Sequence, residues 1–81
     1  MFQKKIFGHN SVEYKGYTGS VEFSEGDGIF FGKVQGIRAL ISYEGVGAAD
    51  LLQDFRSAVD DYLSVCAEEN KVPETAFKGI F

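Results

Sequence analysis

Cysteine, proline and histidine each occur once in 81 residues, as Cys66, Pro73 and His9, and tryptophan is absent. One cysteine excludes an internal disulfide and suits a reducing cytoplasm. One histidine, in a polar N-terminal segment, leaves no His–His or Cys–His spacing for zinc and reads as a surface residue. Cations are also scarce: eight Lys and Arg stand against twelve Asp and Glu, for a net charge of −4. The largest basic cluster is Lys4–Lys5. Phosphate contacts need gathered Lys and Arg, so the chain is not expected to bind nucleic acid directly. A mild acidic excess serves solubility, and it also suits an encounter with a basic protein. No apolar run approaches the ~20 residues of a membrane span, and residues 1–10 lack the apolar core of a signal peptide. The expectation is a cytoplasmic protein.

What is present is globular. Hydrophobic residues make up 44% of the chain, with eight Phe and four Tyr, which is too apolar for disorder. Residues 1–11 read as an N-terminal arm and 12–81 as a single domain. From Tyr17 the chain alternates: Tyr17, Gly19, Val21 and Phe23 are apolar or small, while Thr18, Ser20, Glu22 and Ser24 are polar. This is the period of a half-buried strand. The turn Glu25-Gly26-Asp27-Gly28 and the run Ile29 to Val34 complete a hairpin. Placing Ser24 opposite Ile29 makes Phe23 face Phe30, Val21 face Gly32 and Gly19 face Val34. A one-residue slip would mismatch the apolar faces. Tyr17, Val21, Phe23, Phe30 and Val34 are then expected inside, and Ile29, Phe31 and Lys33 outside.

A third strand is expected over residues 39–44, with Ile41 and Tyr43 inward. A helix follows from about Ala48 to Asn70, where Ala48, Leu51, Leu52, Phe55, Ala58, Val59, Tyr62, Leu63 and Cys66 recur at helical spacing. Gly47 precedes it as the cap. Asn70 suits a left-handed stop and Pro73 blocks continuation. Residues 75–81 then read as a fourth strand. The fold class is α+β, in the order βββαβ: a mixed four-stranded sheet with one helix on one face and a right-handed crossover.

Catalytic constellations are not evident. Asp60–Asp61 and Glu68–Glu69 are adjacent on a helix, so their side chains point about 100° apart and do not converge. Cys66 lies on the apolar stripe, as a packing cysteine does. Gly26-Asp27-Gly28 joins two strands, which is not the setting of a phosphate loop. Phe30 and Phe31 lack the interleaved cations of an RNA-binding sheet. No cofactor, no metal and no enzymatic activity are expected.

Three runs together resemble the HicB-type antitoxins: Tyr14-Lys15-Gly16-Tyr17-Thr18-Gly19-Ser20-Val21-Glu22-Phe23-Ser24, Asp27-Gly28-Ile29-Phe30-Phe31-Gly32-Lys33-Val34-Gln35-Gly36-Ile37, and Leu40-Ile41-Ser42-Tyr43-Glu44-Gly45. The helical Asp54-Phe55-Arg56-Ser57-Ala58-Val59-Asp60-Asp61-Tyr62-Leu63 and the ending Phe77-Lys78-Gly79-Ile80-Phe81 extend the resemblance over about residues 12–81. No single motif is diagnostic. The resemblance implies a partial ribonuclease-H-like fold and a partner, a small HicA-type toxin that cleaves RNA, which the domain would neutralise by direct binding. Gly47 stands where the family commonly has Thr or Ser. Family members commonly continue past the Lys-Gly-x-Phe strand into a DNA-binding module, so the expectation is a domain without that module's autoregulatory or dimerising role. The alternative is an orphan relative acting as an oligomeric regulatory or scaffold module.

One helix cannot cover both faces of a four-stranded sheet. Ile29, Phe31, Leu40 and Ile80 are therefore expected to share the uncovered face and to serve as the partner-binding or self-association surface, most simply in a homodimer. Open strand edges offer a second route to association.

Overall fold

The structure, a computed structural model, describes residues 11–75. Five strands, β1 (Ser11–Tyr14), β2 (Tyr17–Ser20), β3 (Glu22–Ser24), β4 (Ile29–Lys33) and β5 (Ser42–Gly45), precede one helix, α1 (Ala48–Glu68). The α+β class holds. The strands form two antiparallel sheets, β1-β2 and β3-β4-β5. A bridge between Gly19 and Val34 and a hydrogen bond from Gln35 N–H to the Thr18 carbonyl (2.8 Å) join them. All pairings among the described residues are antiparallel. The expected parallel partner, the strand at 75–81, lies outside them apart from Thr75, which belongs to no strand. Of the expected arm at residues 1–11, residues 1–10 also lie outside.

The hairpin has the register that alternation implies, with Ser24 opposite Ile29 and Phe23 opposite Phe30. The single strand expected from Tyr17 to Ser24 is instead broken at Val21, and the cause is tertiary. The buried Tyr43 hydroxyl donates to the Ser20 carbonyl at 2.8 Å. In an unbroken ladder that carbonyl would accept from Lys33. The Ser20 side chain substitutes, its Oγ accepting the Lys33 N–H at 3.1 Å. Two glycines make room for the tyrosine. A Cβ on Gly19 would press on the Tyr43 hydroxyl, and one on Gly32 would press on the Ser20 carbonyl oxygen and lie 2.9 Å from Tyr43 Cε1.

β1 is an addition to the expected order, and Ser11 belongs to it. Lys15 (φ 53°) and Gly16 (φ 84°) form the two-residue turn to β2, both in the left-handed region that such hairpin turns demand. The third strand starts at Ser42 and not at Ala39, because residues 36–39 are still turning. The Val34 N–H reaches Ile41 O (2.9 Å) just ahead of it.

The helix lies against β5 and buries Leu51, Phe55, Val59 and Cys66. With Tyr17, Val34, Ile41 and Tyr43, the first three of these form the core. Phe55 and Tyr43 meet edge to face at 4.9 Å. Ala48, expected on the buried stripe, is exposed at the helix start. Phe23, expected inside, is 55% exposed. It is on the inner side but at the hairpin tip, where it packs against Phe30 at 4.9 Å.

The helix ends follow the sequence. Gly47 is the N-cap and its carbonyl accepts the Leu51 N–H at 2.9 Å. At the other end Asn70 turns left-handed (φ 57°). Lys71 N–H bonds Cys66 O at 2.8 Å and Asn70 N–H bonds Ala67 O at 3.3 Å, the paired bonds of a Schellman stop.

Candidate interaction surface

The face turned away from α1 is built by cross-strand rows. Phe31 is centred in one, between Glu22 on β3 and Glu44 on β5. Lys33 and Ser42 face each other in the next. Phe31 is 37% exposed and Leu40 82% exposed. The two line one shallow depression of about 280 Å³ with Glu22, Lys33 and Ser42. Ile29 is half-buried and joins Phe31 in a neighbouring open depression of about 630 Å³, where Asp27, Glu44 and Asp54 also stand. The structure thus places Ile29 and Leu40 in two depressions that Phe31 shares. Ile80 lies outside the described residues.

The charges around this patch are mostly negative, with Glu22, Asp27, Glu44 and Asp54 against Lys33. Asp54 has a second task. Its carboxylate reaches from α1 to accept the outward-pointing N–H of Glu44 at 2.9 Å. One of the β5 edge donors is therefore already occupied, which weakens that edge as a template for another strand. Among the described residues no three His, Cys, Asp or Glu side chains are placed to hold a metal ion. No described helix is long and apolar enough to cross a membrane.

Two polar clusters escaped sequence reasoning. Asp60, expected only as one of two adjacent carboxylates that do not converge, is exposed. It also pairs with Lys15 at 2.8 Å and accepts the Tyr14 hydroxyl at 3.1 Å, tying the first hairpin to α1. Hydrogen bonding with Lys15 holds the Asp60 carboxyl below its ordinary value, and the same contact raises Lys15. The second cluster centres on Glu74. Its carboxylate accepts the Arg38 N–H at 2.8 Å and the Ala39 N–H at 3.3 Å. Its own N–H donates to the Tyr62 hydroxyl at 2.9 Å, and its carbonyl accepts from the Tyr17 hydroxyl. A glutamate just after a helix-stopping proline carries no such signal in sequence, because its partners are 12 to 57 positions away.

Comparison with protein-family models gives no match, and no curated protein or solved structure matches the chain.

Proposed function

We propose that this domain acts by binding a basic protein on its outer sheet face, as an antitoxin-type module that neutralises a HicA-type RNA-cleaving toxin. The supporting observation is the placement of Phe31 and Leu40, exposed side by side on a face that the core does not use, with Glu22 and Glu44 flanking Phe31 and Asp27 and Asp54 in the neighbouring depression. Apolar groups in such a setting provide affinity, and the surrounding charge selects the partner and speeds its arrival. The resemblance over residues 12–81 supplies the class of that partner.

The test is RNA cleavage by a HicA-type toxin from the same genome, titrated with the domain. An equimolar amount is expected to stop cleavage. A Phe31→Lys variant with an unchanged melting temperature is expected to protect at least tenfold less well. Cleavage that persists in excess domain refutes the reading. The domain itself is expected to leave RNA intact in magnesium or manganese.

The second reading is self-association into a homodimer through the same face, which the exposure of Leu40 also favours. Stacking two copies would bring Glu22 and Glu44 towards their counterparts, with one Lys33 per copy to offset them. That imbalance is why a basic partner is placed first. Sedimentation at rising concentration separates the two readings.

A further inference from the structure

We infer that Glu74 is a clasp that sets the shape of the 36–40 loop and so positions Leu40 on the outer face, coupling the segment after α1 to the docking surface. All the polar groups of this residue are engaged. The carboxylate takes two successive backbone N–H groups, of Arg38 and Ala39. Consecutive N–H groups turned the same way form a small anion-binding concavity, and here the anion belongs to the chain. Both backbone groups are fixed as well, by the hydroxyls of Tyr62 and Tyr17. Those two rings meet edge to face at 6.2 Å. Tyr17 is buried in the core and Tyr62 packs against it. The clasp is therefore anchored to the rigid part of the molecule at one end and holds the loop at the other.

The side chains of Ile37 and Ala39 are partly buried against the core, and Glu74 takes the backbone N–H groups of Arg38 and Ala39. Residues 36–39 form bends and no strand, and Gly36 is in the left-handed region at φ 81°. Leu40 follows directly and is 82% exposed, so its side chain adds little packing to hold it. Its position is inherited from the backbone on either side. Ile41 holds one side through its hydrogen bond with Val34. Glu74 holds the other. Any event that pulls residues 71–75 away from the core releases the Arg38 and Ala39 N–H groups and lets Leu40 leave its place beside Phe31.

The loop-positioning part stands on geometry alone. Only its consequence for binding rests on the proposed function, so the test is read first without a partner. Glu74→Ala and the milder Glu74→Gln are compared with the parent protein by amide hydrogen exchange and by methyl NMR. In Glu74→Ala the Arg38 and Ala39 amides are expected to exchange at least tenfold faster and the Leu40 methyl resonances to move. The amides of α1 and the methyls of Leu51 and Val59 are expected to stay as they were. Unchanged protection at Arg38 and Ala39 overturns the clasp. Uniformly faster exchange across α1 in both variants also overturns it, because Glu74 would then act on stability at large. With the HicA-type toxin, Glu74→Ala is expected to bind at least threefold more weakly. Unchanged affinity, with the loop visibly released, refutes the coupling to docking. A parent protein that binds no toxin refutes the proposed function and leaves the loop result standing.

Discussion

Adding one methyl group at Gly32 tests the account of the broken strand most directly. Gly32 lies opposite Tyr43 on β5, with its missing side chain on the inner face. A Cβ there would overlap the Ser20 carbonyl oxygen and lie 2.8 Å from the Ser20 carbonyl carbon and 2.9 Å from Tyr43 Cε1. Neither neighbour is the loose end of a flexible side chain. The carbonyl is backbone, held inward by the Tyr43 hydroxyl, and the ring is wedged against Phe55. Relief requires the carbonyl to swing away, which leaves the tyrosine hydroxyl without its acceptor. Overpacking of this kind costs about 1–3 kcal/mol, and a buried hydroxyl left unpaired about 1–3 kcal/mol more. Gly32→Ala should therefore lose about 2–6 kcal/mol.

A domain of 81 residues has roughly 4–12 kcal/mol in total. With a urea m-value of about 1 kcal/mol/M, the midpoint followed by helical circular dichroism should fall by about 2 M or more, or the protein should be unfolded from the start. Gly26→Ala is the control. Nothing lies within 4 Å of its would-be Cβ, so the change should stay within about 0.5 kcal/mol. A double-mutant cycle then isolates the mechanism. In a Tyr43→Phe background the carbonyl is free to turn back towards Lys33, so Gly32→Ala should cost at least about 1 kcal/mol less than in the parent. A Gly32→Ala protein with the parent's midpoint would refute the argument, as would strict additivity in the cycle.

Phe55→Ala empties the centre of the core and should cost about 3–5 kcal/mol, read as a large drop in melting temperature. Burial pushes the Tyr43 hydroxyl up to about 12 from 10.0. The folded state therefore keeps that proton where the unfolded chain loses it. Stability should be intact below pH 10 and fall as pH rises towards 12, by at most about 3 kcal/mol, and Tyr43→Phe should flatten that slope in alkaline urea titrations. Asn70→Ala places a Cβ-bearing residue without a polar side chain at φ 57° and should cost about 1 kcal/mol, whereas Asn70→Gly should be neutral or slightly stabilising in the same titrations.

The parts legible in sequence were those that repeat. Alternation over Tyr17 to Ser24 and Ile29 to Val34 gives sides and register, and the spacing of Leu51, Phe55 and Val59 gives the helix face. Alternation says which side a residue takes but not how far the helix reaches along the sheet, and so it misplaced Phe23 at the hairpin tip. β1 was missed because Ser11 to Tyr14 is only four residues long, with Lys15-Gly16 as its one turn signal. The break at Val21 was illegible for a different reason. It arises where a tyrosine some twenty residues away inserts between two glycines, and each glycine alone reads only as a weak strand residue. Glu74 is the same kind of case, with a role fixed by atoms that only the tertiary fold brings near.

These two tyrosine-centred arrangements bear on how separable folding and binding are. Tyr43, Ser20, Gly19 and Gly32 complete the inner side of the sheet, and none of them depends on Phe31. Phe31 is flanked in its row by Glu22 and Glu44, so neither neighbouring strand supplies an apolar partner across from it. Burying such a ring against a partner yields on the order of 1.5–3 kcal/mol, while the flanking carboxylates oppose the approach of another acidic surface. For a partner bound as proposed, affinity and discrimination would come from different residues of one row, and both could be altered without touching the core. The outer face is therefore open to change in partner preference at little cost to stability. Leu40 is the exception, since its place is set through Glu74 by the same core that the helix completes.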